Sequence, residues 1–229
     1  KDVPEVWKMM LANVRTPRGN YGDMRALISA VDLGELRFRE LVSKYGADVF
    51  SRTLSDLLDY SERRMRAEIS AFPDGKYTFV DRVEDDGIED KEYEIHVAVH
   101  VHRDEVVIDY SGSSLQAKGP INATLGVAWS AAFNAMLHLT DQSIPKNSGC
   151  FRPIRVIAPA GTIMNVDYPG SEVGGNTETH PLIVCAIFGA MSNCVPERVM
   201  ASEGTTHGCF VFGGHDKVTD EPFGGFDFS

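Results

Sequence analysis

The sequence predicts an α+β fold: a helical N-terminal arm, then a mixed domain with antiparallel strands, buried helices and Gly-rich loops. Three observations carry this prediction. Apolar residues recur at helical spacing through the first part of the chain. The texture then changes to period-2 alternation, in which Tyr93, Ile95, Val97, Val99 and Val101 interleave with Glu94, His96, Ala98, His100 and His102. Beyond that, two apolar helical runs sit among loops rich in glycine and hydroxyl side chains. Residues 1–75 read as the arm and 76–229 as the mixed domain.

In the arm, Glu5–Val14 reads as a short helix closed by a turn at Thr16-Pro17-Arg18-Gly19-Asn20. Asp23–Ala30 is a second helical piece. Leu33–Tyr45 is a third, with Gly46 placed to terminate it. The clearest element is Ala47–Phe72. Phe50, Leu54, Leu57, Leu58, Met65, Ile69 and Phe72 mark one side of it, and Arg52, Asp56, Asp59, Glu62, Arg63 and Arg66 the other. The expectation is one continuous helix whose apolar stripe lies against the core. Pro73-Asp74-Gly75 ends it.

In the mixed domain, strands are predicted at Tyr77–Val83, Tyr93–His102, Glu105–Tyr110 and Arg152–Ala158. Thr124–Leu139 and Pro181–Cys194 are apolar on nearly every side and read as buried helices, with Pro181 in the first turn of the second. After Gly204, glycine punctuates the chain too often for an assignment. The chain opens at Lys1 without a methionine and closes on Gly224-Gly225-Phe226-Asp227-Phe228-Ser229, which predicts an internal piece of a longer polypeptide.

Composition narrows the function. With 22 basic and 33 acidic residues the net charge is −11, the wrong sign for a general nucleic-acid binder. The apolar runs are too short or too interrupted to span a membrane, and no signal-peptide pattern opens the chain. The four cysteines, Cys150, Cys185, Cys194 and Cys209, form no CxxC pair, and buried thiols in a reducing cytoplasm are expected.

Five constellations could carry chemistry. The first is Gly174-Gly175-Asn176-Thr177-Glu178-Thr179-His180-Pro181. Its two glycines permit close backbone approach, four polar side chains follow, and a helix N-terminus stands behind them. No lysine follows the glycines, so it is not a nucleotide P-loop. A plain helix cap on Thr179 or His180 is the alternative. The second is Asp109-Tyr110-Ser111-Gly112-Ser113-Ser114, followed by Asn122, where a strand ends in an acid before a hydroxyl-rich loop. An Asp or Ser turn would look the same. The third and fourth are the segments around Thr205 and His207 and around Lys146 and Asn147. The fifth is the face of His96, His100 and His102, two of which could bind zinc if a third ligand joined them, although a solvated strand face is the commoner cause.

Taken in order, these segments resemble the hydantoinase B/oxoprolinase family. Asn13-Val14-Arg15-Thr16-Pro17 with Gly22-Asp23 opens the series. Pro73-Asp74-Gly75, Asp85-Asp86-Gly87, Asp109 to Ser114, Gly119-Pro120-Ile121-Asn122 and Ile144 to Gly149 follow. Arg152-Pro153, Pro159-Ala160-Gly161-Thr162, Gly174 to Glu178 and Pro196-Glu197-Arg198 complete it. The resemblance implies a B component, in a hetero-oligomer with a hydantoinase A-type component that binds ATP and phosphorylates the carbonyl oxygen of a small-molecule substrate. The B component then acts on the activated carbonyl of a cyclic amide or imide. In related acetone and acetophenone carboxylases it directs carboxylation instead. The resemblance also places the family's divalent metal, held by a His/His/Asp cluster, upstream of Lys1. An amide resists attack, so the site must position the activated species and donate hydrogen bonds to its developing charge. Asn176, Glu178, His180 and Asp109 are the expected catalytic groups. Ser111, Asn122, Asn147, Gly174, Gly175, Thr177, Thr205 and His207 are expected to bind substrate.

Overall fold

A computed structural model describes residues 3–14, 16–202, 204–205 and 209–228. It divides into two compact units, Asp56–Gly208 and a second made of Lys1–Ser55 with Cys209–Ser229. The division falls inside a helix rather than at the predicted 75/76 boundary.

In the second unit, α1 covers Pro4–Leu11 and α2 covers Pro17–Tyr45. The predicted turn at residues 16–20 and the break before Leu33 are absent. Pro17 is the first helical residue, where its missing N–H costs nothing and its fixed φ suits the helix. Gly19, Gly22 and Gly34 weaken helix propensity without breaking the run. Trp7 meets Tyr21 edge-on, with ring centroids 5.2 Å apart. Gly46, at φ 82°, ends α2 in a conformation that a β-carbon would strain. The same unit holds a hairpin that the sequence reading missed, β5 (Cys209–His215) paired antiparallel with β6 (Pro222–Phe228). The pairs Phe210/Phe212 and Phe226/Phe228, each two residues apart on either side of Asp216–Asp220, were its signal.

The helix that crosses the division is α3, Ala47–Ile69, and it is continuous as predicted. Its stripe is only partly buried. Met65 and Ile69 are fully covered, but Leu54 and Leu57 are 44% and 43% exposed. The expectation that the whole stripe meets the core is therefore wrong at Leu57. Only Ser61 and the turns after it reach the main unit's interior.

That unit is a two-layer sandwich. Its sheet runs β1 (Gly75–Val83), β2 (Tyr93–His102), β3 (Glu105–Asp109), β4 (Ile154–Ile157) in spatial order. The first two pairings are antiparallel and β3–β4 is parallel. Tyr93, Ile95, Val97, Val99 and Val101 of β2 all point inward and are buried, as the alternation predicts. Two helices cover that face. α6 (Thr179–Met191) packs on β1 and β2, and α4 (Leu125–Leu139) packs on α6. Thr124 caps α4 by accepting from Val127 N. Ala128, Ala131, Ala132 and Ala135 are fully buried, and their small size lets α4 lie close to its neighbours. A short helix, α5 (Ser148–Phe151), follows α4.

One buried charge organises the loops at the end of this unit. Asp86 is 1% exposed and accepts from the N–H groups of Glu89, Ile88 and Gly119 and from the Tyr93 hydroxyl. These donors, Glu89 N–H foremost, hold its carboxyl far below the usual range. Burial first, and the facing Asp86 second, push the Tyr93 hydroxyl up to about 12. A carboxyl with a depressed folded pKa stabilises the fold above its unfolded pKa of about 4, and that contribution disappears as pH falls below it. Asp86→Asn is thus expected to lower the denaturation midpoint at pH 7. The gap from the parent chain should narrow steadily below about pH 4. A gap that stays constant from pH 7 to pH 2 would refute this assignment of the charge.

Candidate functional site

The Gly174–His180 loop leads into α6 and lies against the Gly119–Asn122 segment. Gly174 N–H donates to Pro120 O at 2.6 Å, and a β-carbon on Gly174 would stand 2.7 Å from the same oxygen. A β-carbon on Gly175 would overlap Asn122 O. Both glycines are therefore required by backbone crossing backbone, and no ligand is needed to explain them. Gly175→Ala is expected to cost about 1–3 kcal/mol through overpacking. A denaturant midpoint equal to the parent's would contradict that packing.

The loop's polar side chains diverge from there. Val173–Gly175 form a single 3-10 turn, and Asn176 follows it, exposed and without a hydrogen bond to the described residues. Thr177 is half-buried. Glu178 occupies the N-cap position of α6 but makes no side-chain cap bond. Thr179 is buried with its hydroxyl on Ile121 O, so α6 begins two residues earlier than predicted and Pro181 is its third residue. Glu178 and His180 face different cavities. Glu178 lines a polar cleft of about 400 Å³ with Arg82, Glu84, Asp85, Leu182 and Thr205. His180 lines a second cavity of about 400 Å³ between α4 and α6. The two groups expected to share proton transfer do not converge on one volume.

The remaining predicted residues are held by the fold. Asn122 is fully buried. Its Oδ1 accepts from Ala117 N at 2.7 Å, and its Nδ2 donates to the carbonyls of Ala117, Gly119 and Ser171. Its amide is spent pinning two loops together, and no valence is left for a substrate. Asn147 caps α5 by accepting from Gly149 N at 2.9 Å and donates to Ser61 Oγ at 2.8 Å, fastening α5 to α3. Asp109, at the end of β3, accepts from Ser111 N at 2.8 Å in a local Asx turn and lines neither cavity. Ser111 itself is exposed. Ser113 and Ser114 accept from the N–H groups of His96 and Glu94, completing the β2 edge beyond β3. His207 lies outside the described residues.

His96, His100 and His102 share the solvent side of β2. His96 Nε2 is 2.9 Å from Glu94 Oε2, and this contact is the main cause holding the Glu94 carboxyl below its ordinary range. His102 Nδ1 stands 3.8 Å from Asp74. Among the described residues no three His, Cys, Asp or Glu side chains group closely enough to hold a metal ion. Cys150 and Cys194 are buried free thiols, and Cys185 is half-buried and free. Among the described residues no helix is long and apolar enough to cross a membrane.

The sequence reading overlooked the residues that give the second cavity its character. Ser130, Asn134 and His138 lie at successive four-residue steps on α4 and are its polar side chains among otherwise apolar neighbours. That interruption of an all-round apolar pattern was visible in the sequence.

Comparison with known proteins places the chain. The Hydantoinase B/oxoprolinase family matches residues 1–229. The caprolactamase subunit beta of Pseudomonas jessenii is 31% identical over 215 residues, covering 93% of this chain and 36% of that protein. The crystal structure of ATP-dependent caprolactamase from the same organism superposes with a TM-score of 0.89 at 27% identity, covering 98% of this chain and 38% of that one. Nucleotide-free acetone carboxylase superposes at 0.86 with 19% identity over 99% of this chain and 32% of that one, a likeness of fold alone. The chain thus spans 32% to 38% of these relatives' lengths. The ordered motifs and a match along the whole chain lead to one conclusion: this chain belongs to the hydantoinase B/oxoprolinase family.

Proposed function

We propose that the chain is part of the B component of an ATP-dependent two-component enzyme that acts on the phosphate-activated carbonyl of a small cyclic amide or imide. The observation that carries this reading is the similarity, over 93% of this chain, to the beta subunit of a caprolactamase. Its partner is an A-type component that binds ATP and phosphorylates the carbonyl oxygen. The present sequence contains no phosphate-binding GxxxxGK[ST] loop of its own.

Within this reading the Asn176–Glu178 loop faces the activated species. Asn176 and Thr177 supply donors for the oxygen on which charge develops, and Glu178, in the polar cleft beside Thr205, moves the proton. Asn122, Asn147, Gly174 and Gly175 act at one remove, holding that loop and its neighbours in place. No step is assigned to Asp109 or Ser111, which line neither cavity.

The test is reconstitution. The protein is combined with an A-type component and ATP, then assayed for ring opening of caprolactam, hydantoin and 5-oxoproline, and for acetone carboxylation in bicarbonate. ATP-dependent ring opening is the expected result. Carboxylation without ring opening would transfer the chain to the carboxylase branch, and neither activity would mark an assembly domain. A related expectation concerns the chain alone: calorimetry should detect no sub-micromolar ATP binding, and such binding would contradict the division of labour.

A further inference from the structure

The cavity between α4 and α6 has a chemistry that the reading above leaves unused. Asn134 and His138, a turn apart on α4, and His180 from α6 all line it. His180 Nε2 is 3.5 Å from Ser130 Oγ, so all three polar positions of α4 lie along this seam. The α6 side carries Val184 and Phe188 at four-residue steps from His180, Met200 also lines the cavity, and the Phe188 ring meets the His138 ring edge-on with centroids 6.1 Å apart. No Asp, Glu, Lys or Arg lines it. Its volume of about 400 Å³ falls within the range of roughly 300–1,000 Å³ common to small-molecule sites.

The neutral-ring tautomer of His138 follows from its partner. Its Nδ1 is 2.8 Å from Asn134 O, a carbonyl that can only accept, so Nδ1 carries the proton. In the neutral ring Nε2 is then a bare acceptor, and no described residue bonds to it. The Asn134 side-chain amide is half-buried and also has no hydrogen-bond partner among the described residues. A donor from Asn134 and an acceptor from His138 therefore stand one turn apart on α4, in a cavity that Val184, Phe188 and Met200 also line. A ring amide presents the matching edge, because ring closure forces its N–H and C=O onto the same side. An open-chain secondary amide is trans and directs them to opposite sides. The lack of charged side chains suits a neutral ligand and would leave a phosphorylated one uncompensated.

We propose that this cavity is a binding subsite for the unphosphorylated cyclic amide. Asn134 Nδ2 donates to the ring carbonyl, His138 Nε2 accepts from the ring N–H, and the methylenes lie on Val184, Phe188 and Met200. The proposal rests on the cyclic-amide reading above, but binding and turnover are separate measurements.

The full chain is titrated with δ-valerolactam, without ATP or partner, while the histidine ring resonances are followed by NMR. Saturable shifts are expected at His138 and His180. N-methylacetamide, the trans analogue, and cyclohexanone, which has no N–H, should produce none. Asn134→Leu and His138→Leu should each weaken lactam binding about tenfold, the size of one net hydrogen bond of about 1.4 kcal/mol. Unchanged melting curves would show that both variants still fold. The subsite is overturned by absent saturation, by an equal response to the trans amide, or by undiminished affinity in both variants. Lactam binding in a chain that opens no ring after reconstitution would keep the subsite and sink the cyclic-amide reading. Ring opening without lactam binding would do the reverse.

Discussion

Replacing Met65 with alanine is expected to destabilise the protein by about 2–5 kcal/mol, the cost of removing a large side chain from a packed interior. Leu57→Ala, two helical turns earlier on the same stripe, is expected to cost less than about 1 kcal/mol. Met65 has no exposed surface, whereas Leu57 is 43% exposed. Much of the Leu57 side chain therefore already touches water in the folded chain, and truncation removes few contacts. Urea denaturation of the two variants checks the contrast, and equal losses would show that the helix is buried along its whole stripe. The sequence could not make this distinction. A helical stripe reports which side of a helix is apolar, and the length of the body that covers it is a tertiary quantity.

The same limit separates what was legible in this chain from what was not. The β2 alternation fixed both the strand and its inward face, because period 2 admits one answer when one side is buried. The runs at α4 and α6 were equally plain. The hairpin β5–β6 was missed because its glycines dominate the local composition and hide the alternating aromatics. At the candidate site, residue type was a poor guide to role. Gly174 and Gly175 resemble a ligand cradle in sequence, but Pro120 O and Asn122 O occupy the space a side chain would need. Glu178 and His180 are two residues apart, and the start of α6 falls between them. Their side chains leave the helix in different directions and enter different cavities. Spacing along a chain predicts a shared face only once the element boundary is known, and that boundary moved by two residues here. The stripe of Ser130, Asn134 and His138 was readable, but the apolar residues around it dominate the helix and signal its burial.

The sharpest functional expectation sets two asparagines against each other. Asn176→Ala should lower turnover of the reconstituted enzyme by about 10²–10³, as loss of one preorganised donor to a developing oxyanion does elsewhere. Its melting temperature should barely move, because Asn176 is exposed and bonds to no described residue. Asn122→Ala should behave in the opposite way. It removes an amide that satisfies one backbone N–H and three backbone carbonyls, and leaves a buried Ala117 N–H unpaired. One such orphaned group costs about 1–3 kcal/mol. Its stability should therefore drop clearly. Any loss of turnover should shrink when the protein is assayed cold or with a stabilising osmolyte that restores the fold. Kinetics and thermal melts on the same two preparations decide the matter. If Asn176→Ala turns over at the parent rate, the loop serves only to start α6, and the chemistry assigned to it belongs elsewhere in the complex. If Asn122→Ala melts like the parent while losing turnover, its buried amide acts on the substrate after all, and the division between the holding residues and the reacting ones must be redrawn.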